Sequence, residues 1–207
     1  MDQKGTVGPL GAKVRGSSQD FSLSRYGELV GPMWREATLA GRVFGGETAA
    51  AGVAPGTALG TTGPFTLANP AGSGVALVVI QGSYGYVSGT LGAGVIVWAA
   101  NVNPVAAAVT GTAITVNNML LGGARADGQG LAFTTSTLPV APVGIRPAFN
   151  LDASLATTAG IGLKALVDYV DGAICIAPGG ALTLQGIAAA GTTPLVIEGS
   201  LWEEVSL

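Results

Sequence analysis

The sequence predicts an all-β protein, and three observations carry that prediction. From Thr48 onward, short runs of Val, Ile, Leu, Thr and aromatic residues follow one another, each the length of a strand rather than a helix. Clusters of Gly, Pro, Asn and Asp separate the runs. A helical period is almost absent, while alternation of period two recurs. Many short strands with regular turns read as a sandwich or barrel, because each sheet must bury one face against another.

Residues 1–47 read as an extended arm, punctuated by Gly and Ser. Within it, 26–30 and 33–44 are expected to form short strands or a single helical turn. The second stretch holds Trp34, Leu39, Val43 and Phe44. Trp34 and Phe44 are expected to dock on a partner, since large aromatic surface is costly to leave in water. Residues 48–207 read as the β-sandwich domain. The predicted strands are 65–68, 75–87, 94–101, 113–121, 131–138, 145–150, 166–170, 173–177, 181–190 and 194–205. Turn chemistry separates them at Asn69-Pro70-Ala71-Gly72, Asn103-Pro104, Gly122-Gly123, Asp127-Gly128 and Pro178-Gly179-Gly180. Asp171-Gly172 predicts a two-residue hairpin between 166–170 and 173–177. One helical stretch is expected at 151–166, weakened by Gly160 and Gly162. No fixed-period repeat is present, which disfavours solenoids and propellers.

In the last strand, Leu195, Ile197 and Leu201 alternate with Val196, Glu198, Ser200, Trp202 and Glu204. The first set is expected to face the core and the second to face out, with Trp202 as an interface residue. Tyr84 and Tyr86 share a face at i, i+2 spacing and fit a core or interface stripe, and Trp98 follows the same logic. The expected interface set is therefore Trp34, Phe44, Tyr84, Tyr86, Trp98 and Trp202.

The charge map sharpens this. Charged residues make up 10% of the 207 positions, against about 25% in an average soluble domain. Residues 1–47 hold 11 of the 21 charges, and residues 48–124 hold none across 77 positions. A sandwich exposes alternate residues of its strands, so that neutral stretch cannot all be core. Part of the neutral exterior is expected to face protein, either identical subunits or a larger assembly. A skin of Gly, Thr, Ser and Asn that stays soluble through hydroxyls and amides is the plainer alternative.

Several function classes lose support. The composition excludes disordered tails and coiled coils. The net charge of −3 gives no footprint for nucleic acid. Mean hydropathy is +0.53, yet the apolar runs are short: 75–80 is six residues, and Gly92 and Gly94 interrupt 91–100. A membrane span needs about 20 apolar residues in a row. Residues 1–16 show no apolar region of a secretory signal, so synthesis in the cytoplasm is expected.

Catalytic constellations are equally thin. Histidine is absent, which removes the commonest general base and metal ligand and any Ser–His–Asp arrangement. Cys175 is the single cysteine, flanked by Ile174 and Ile176, and reads as a small core residue. No phosphate-binding loop is present, and Gly92-Ala93-Gly94 lacks the rest of a dinucleotide fingerprint. Asp168, Asp171, Glu198, Glu203 and Glu204 are the remaining candidates for acid–base work. Glu203 and Glu204 point to opposite faces, as do Asp168 and Asp171 on a regular strand, so turn and surface roles are favoured. No catalytic residue, metal or cofactor is expected.

Three stretches carry a resemblance. They are Asn69-Pro70-Ala71-Gly72-Ser73-Gly74-Val75 leading into Val78-Val79-Ile80; Ile174–Ile176 with Ala177-Pro178-Gly179-Gly180 leading into Leu182-Thr183-Leu184; and Leu201-Trp202-Glu203-Glu204-Val205. Over roughly residues 48–207 the chain resembles virion structural proteins of tailed bacteriophages. These are small jelly-roll or β-sandwich proteins that decorate or cement heads, or that build tail parts. The resemblance implies a jelly-roll-like antiparallel β-sandwich with no active site. It implies a homo-oligomer held by neutral β surfaces, whose N-terminal extension grips neighbours or the major capsid protein. The location it implies is the virion, assembled in the host cytoplasm. A tail or fibre adaptor that binds a receptor glycan is the alternative, and a carbohydrate-active jelly-roll enzyme a remote one.

Overall fold

The computed structural model describes residues 33–101, 107–122, 128–151, 166–189 and 191–207. One short helix, α1 (Met33–Leu39), precedes eleven strands: β1 (Val43–Glu47), β2 (Thr62–Ala68), β3 (Val75–Ser88), β4 (Gly94–Asn101), β5 (Thr110–Ile114), β6 (Asn117–Asn118), β7 (Leu131–Thr137), β8 (Val143–Leu151), β9 (Leu166–Ile176), β10 (Ala181–Ile187) and β11 (Leu195–Ser206). They form two antiparallel sheets, ordered β6-β1-β11-β3-β9 and β5-β7-β2-β10-β4-β8, that pack as a sandwich.

The pairing is nested. β1 pairs with β11, β2 with β10, β3 with β9, β4 with β8 and β5 with β7. The chain therefore doubles back on itself around β6 as one long hairpin, and its first four rungs go alternately to the two sheets. Lateral pairs β3–β11, β4–β10, β2–β7 and β1–β6 then join the rungs side by side. A double strand rolled in this way is the jelly-roll-like arrangement expected from the resemblance.

The core lies between the sheets. Phe65 and Leu67 of β2, Ile96 and Trp98 of β4, and Leu182 and Leu184 of β10 face Leu77 and Val79 of β3 and Val196 and Trp202 of β11. Trp98 spans the gap. Its ring lies on Gly82 of β3, where any Cβ would collide with it. Its indole N–H donates to Asp168 Oδ2 of β9 at 2.7 Å, and Arg146 of β8 pairs with the other oxygen of that carboxylate. On the outer side of β10, Gln185 accepts from the Gly60 N–H and donates to the Gly60 carbonyl, both at 2.9 Å, which pins the segment leading into β2.

Four sequence expectations are corrected. The arm does not extend to residue 47, because β1 sits inside the first sheet between β6 and β11 and the compact unit runs Ala37–Leu207. Residues 113–121 are not one strand: β5 and β6 belong to different sheets, since the chain crosses the sandwich between them. Asp171-Gly172 makes no hairpin. Both residues take left-handed backbone, with φ of 49° and 82°, but their flanks both pair with β3. Val79 opposes Ile174 and Gln81 opposes Tyr169, so the turn bulges out of one continuous β9 opposite Ile80. A 14-residue β3 is long enough to template both flanks, which a free hairpin would pair with each other. The expected helix at 151–166 and the stretch 26–30 lie outside the described residues, apart from Leu151 and Leu166, which are strand residues of β8 and β9.

The fourth correction is the face of β11. Val196, Glu198, Ser200, Trp202 and Glu204 point inward and are buried, while Leu195, Ile197 and Leu201 lie half-buried outside. Hydrophobicity alone reads the strand backwards because three of the inward polar groups have internal partners or serve as them. Ser200 Oγ donates to the Gln81 carbonyl at 2.9 Å. Glu204 accepts the N–H groups of Gln129 and Gly130 at 2.9 and 2.8 Å, and Trp202 Nε1 lies 3.4 Å from its Oε1.

The contact between Gly82 and Trp98 yields a direct test. Gly82→Ala should destabilise the fold by about 1–3 kcal/mol, the usual cost of overpacking a filled core. Urea unfolding should show this loss, and Trp98→Leu in the same chain should recover part of it, because the two positions touch.

Candidate functional site

The six aromatic positions expected at an interface separate into two groups. Phe44, Tyr84, Trp98 and Trp202 are buried inside one sandwich, which removes them from any surface. Phe44 stacks on Trp202 with ring centroids 6.5 Å apart, joining β1 to its neighbour β11. Tyr84 packs against Phe149 of β8 across the core at 5.9 Å. These side chains belong to the core cluster between the two sheets. Tyr86 is 40% exposed near the end of β3, with its hydroxyl donating to the Gly89 carbonyl. Trp34 is half-buried on α1.

The five carboxylates each have a separate local setting. Asp168 is held by Trp98 and Arg146, and Glu203 pairs with Arg42 at 2.8 Å on the outer face. Glu204 closes the 128–130 loop from within, and Asp171 sits in the β9 bulge. Glu203 and Glu204 do point to opposite faces. Among the described residues no group of three or more His, Cys, Asp or Glu is placed to hold a metal ion. Cys175 is exposed on β9, not in the core, because its side chain falls on the outer face of a sheet edge.

Glu198 stands apart. It is fully buried, and neither carboxylate oxygen has a hydrogen-bond partner. Tyr84 is its cross-strand neighbour, and the Tyr84 hydroxyl also lacks a partner. Burial pushes the Glu198 carboxyl well above its usual range. The Tyr84 hydroxyl is raised too, first by burial and then by the proximity of Glu198. A carboxyl that stays protonated inside a core is a cost to stability and a source of pH dependence, with no open path to a substrate.

The surface offers two features. On one flank, the edge strands β8 and β9 lie together, linked by Arg146 and Asp168. Val143 and Ile145 of β8 are exposed there, and Val167 and Tyr169 of β9 are exposed on the outer face of the first sheet, opposite Ser83 and Gln81 of β3, Tyr169 by 66%. Sequence reasoning missed this patch. Its signal is apolar side chains on both faces of 166–170, which a strand with one solvated face does not need. A groove of about 700 Å³ runs beside β1 and β5 and takes in Gln81 and Ser83 of β3. Among its described lining residues Glu47 is the one charged side chain, beside Thr, Ser, Asn and Gln hydroxyls and amides. Among the described residues no helix is long and apolar enough to cross a membrane.

The Glu198 environment predicts an unusual pH response. Its carboxyl titrates higher in the folded chain than the 4.5 of the free side chain, so the folded state holds the extra proton. This contribution to stability is intact below that value and is lost as pH rises toward the folded titration point, by up to about 1.4 kcal/mol per pH unit. Thermal unfolding from pH 4.5 upward should show the decline, and Glu198→Gln should flatten it. Comparison of the chain with protein-family models, with curated proteins and with solved structures returned no match.

Proposed function

We propose that this protein is a structural subunit of an assembled shell, held there by copies of itself and by a host lattice, and that the shell is a phage head. The observation that carries the reading is the distribution of charge over a completed sandwich. The described parts of the neutral stretch, 48–101 and 107–122, supply β2 to β6 and many exposed positions without one charged side chain. A free domain keeps roughly a quarter to a third of its surface charged. The apolar side chains exposed on β8 and β9 support the same reading, since exposed apolar surface invites contact with another chain. The scattered carboxylates favour a binding or structural role over hydrolysis, which needs two carboxyls facing each other across a cleft.

Sedimentation of the purified chain across a wide concentration range tests this. Self-association is the expected result, and Ile145→Glu together with Tyr169→Glu should reduce it without loss of the β signal in circular dichroism. A monomer at every concentration would overturn the reading.

A further inference from the structure

The exposed residues of β9 and the groove beside β1 share one surface, the outer face of the first sheet. Strand registers fix its layout. Gly45, Leu201, Gln81 and Tyr169 stand in one row across β1, β11, β3 and β9, and Glu47, Gly199, Ser83 and Val167 stand in the next. The groove takes in the β1, β11 and β3 end of these rows, and Tyr169 and Val167 stand exposed at the other end. The sheet edges offer less to a partner. β6 has two residues, β5 carries a register shift at Gly111, β8 carries Pro147 and two register shifts, and β9 bulges at Asp171-Gly172. Short, bulged or proline-bearing edges resist strand addition. On the second sheet the outward side chains Thr66, Thr183 and Gln185 are already buried by the chain itself. On the first sheet Gln81, Ser83 and Leu201 are only half-buried.

This face is complementary to itself. The order β6-β1-β11-β3-β9 sets β1 and β9 equally far from the midline between β11 and β3. Two such faces stacked about a twofold axis that runs along the strands over that midline put β9 of each copy on β1 of the other. Tyr169 then meets the groove at the second copy's Gly45, and Gln81 meets its Leu201. Glu47 falls opposite the second copy's Val167 and Glu203 opposite its Val78, so no carboxylate faces another. An axis across the strands would instead set β9 on β9, projection against projection. The recess also suits the side chain that enters it. Leu201 and Met119 give the ring apolar walls, and Ser83, Asn117 and Glu47 offer acceptors to the phenol hydroxyl.

We propose that two copies of this chain stack through the outer faces of their first sheets about a twofold axis along the strands, with Tyr169 of each seated in the groove of the other. The proposal rests on the assembly reading above and names one of its contacts, in which the same patch serves both subunits.

Cross-linking between differently tagged full-length copies tests it, in a Cys175→Ser background. One copy carries Glu47→Cys and the other Val167→Cys, both at exposed positions. A short bismaleimide should join them as a heterodimer and should not join two Glu47→Cys copies. The heterodimer should be absent when Ala71→Cys, in the exposed β2–β3 turn, replaces Val167→Cys. Tyr169→Ala should raise the dissociation constant for self-association about tenfold or more, the loss expected of a central interface tyrosine. Leu131→Ala, exposed on β7 of the other sheet, should leave that constant unchanged. If the parent chain self-associates but Tyr169→Ala changes nothing and no heterodimer forms, this contact is wrong and the assembly reading stands. Links between two Glu47→Cys copies in place of the heterodimer overturn the axis along the strands. A parent chain that is monomeric throughout sinks both.

Discussion

A half-buried polar contact helps to fasten the two sheets together. Trp98 leaves β4, crosses the core and lies on the bare backbone of Gly82, and Asp168 holds its indole N–H. Asp168 stands opposite Gly82 in the β3–β9 register, and Arg146 from β8 takes its second oxygen. Four strands from two sheets thus meet at one carboxylate. A buried indole N–H without a partner would cost about 1–3 kcal/mol, so the position of Asp168 constrains where β9 can lie against β8. The missing side chain at 82 and the aspartate at 168 are two halves of the same fitting.

The interior is more polar and the exterior more apolar than side-chain hydrophobicity suggests. β11 shows why: its inward row carries Glu198, Ser200 and Glu204, and its outward row carries Leu195, Ile197 and Leu201. Ser200 and Glu204 are tolerated inside because backbone groups of β3 and the 128–130 loop meet them. Glu198 has no such partner and sits beside the equally unpartnered Tyr84 hydroxyl. The apolar outer row of a central strand suits a face that other molecules cover.

Much of the fold was legible in the residues. The all-β class, the turn at residues 69–72 and most strand positions follow from runs of β-forming residues broken by Gly, Pro and Asn. β3, β4, β7 and β10 lie within a few residues of their predicted places. What sequence could not show was pairing. Asp171-Gly172 has the right local chemistry for a turn, but whether its flanks pair with each other or with β3 depends on a strand some ninety residues away. The same limit misplaced four aromatics: Phe44, Tyr84, Trp98 and Trp202 are large residues in a chain of small ones, and only the assembled sheets show that they fill the core. At the candidate site, the neutral exterior was readable as composition, whereas the β8–β9 patch and the β1 groove exist only once edges are defined.

The nested pairing also sets a timetable. β1 cannot be enclosed until β11 has emerged from the ribosome, because its partners are the last strand and the two-residue β6. Contacts so distant along the chain form slowly, since loop closure must precede any gain from them. The edge of β1 is therefore among the last surfaces to be completed, and a partly synthesised chain leaves its first strand without its main partner until the last strand arrives.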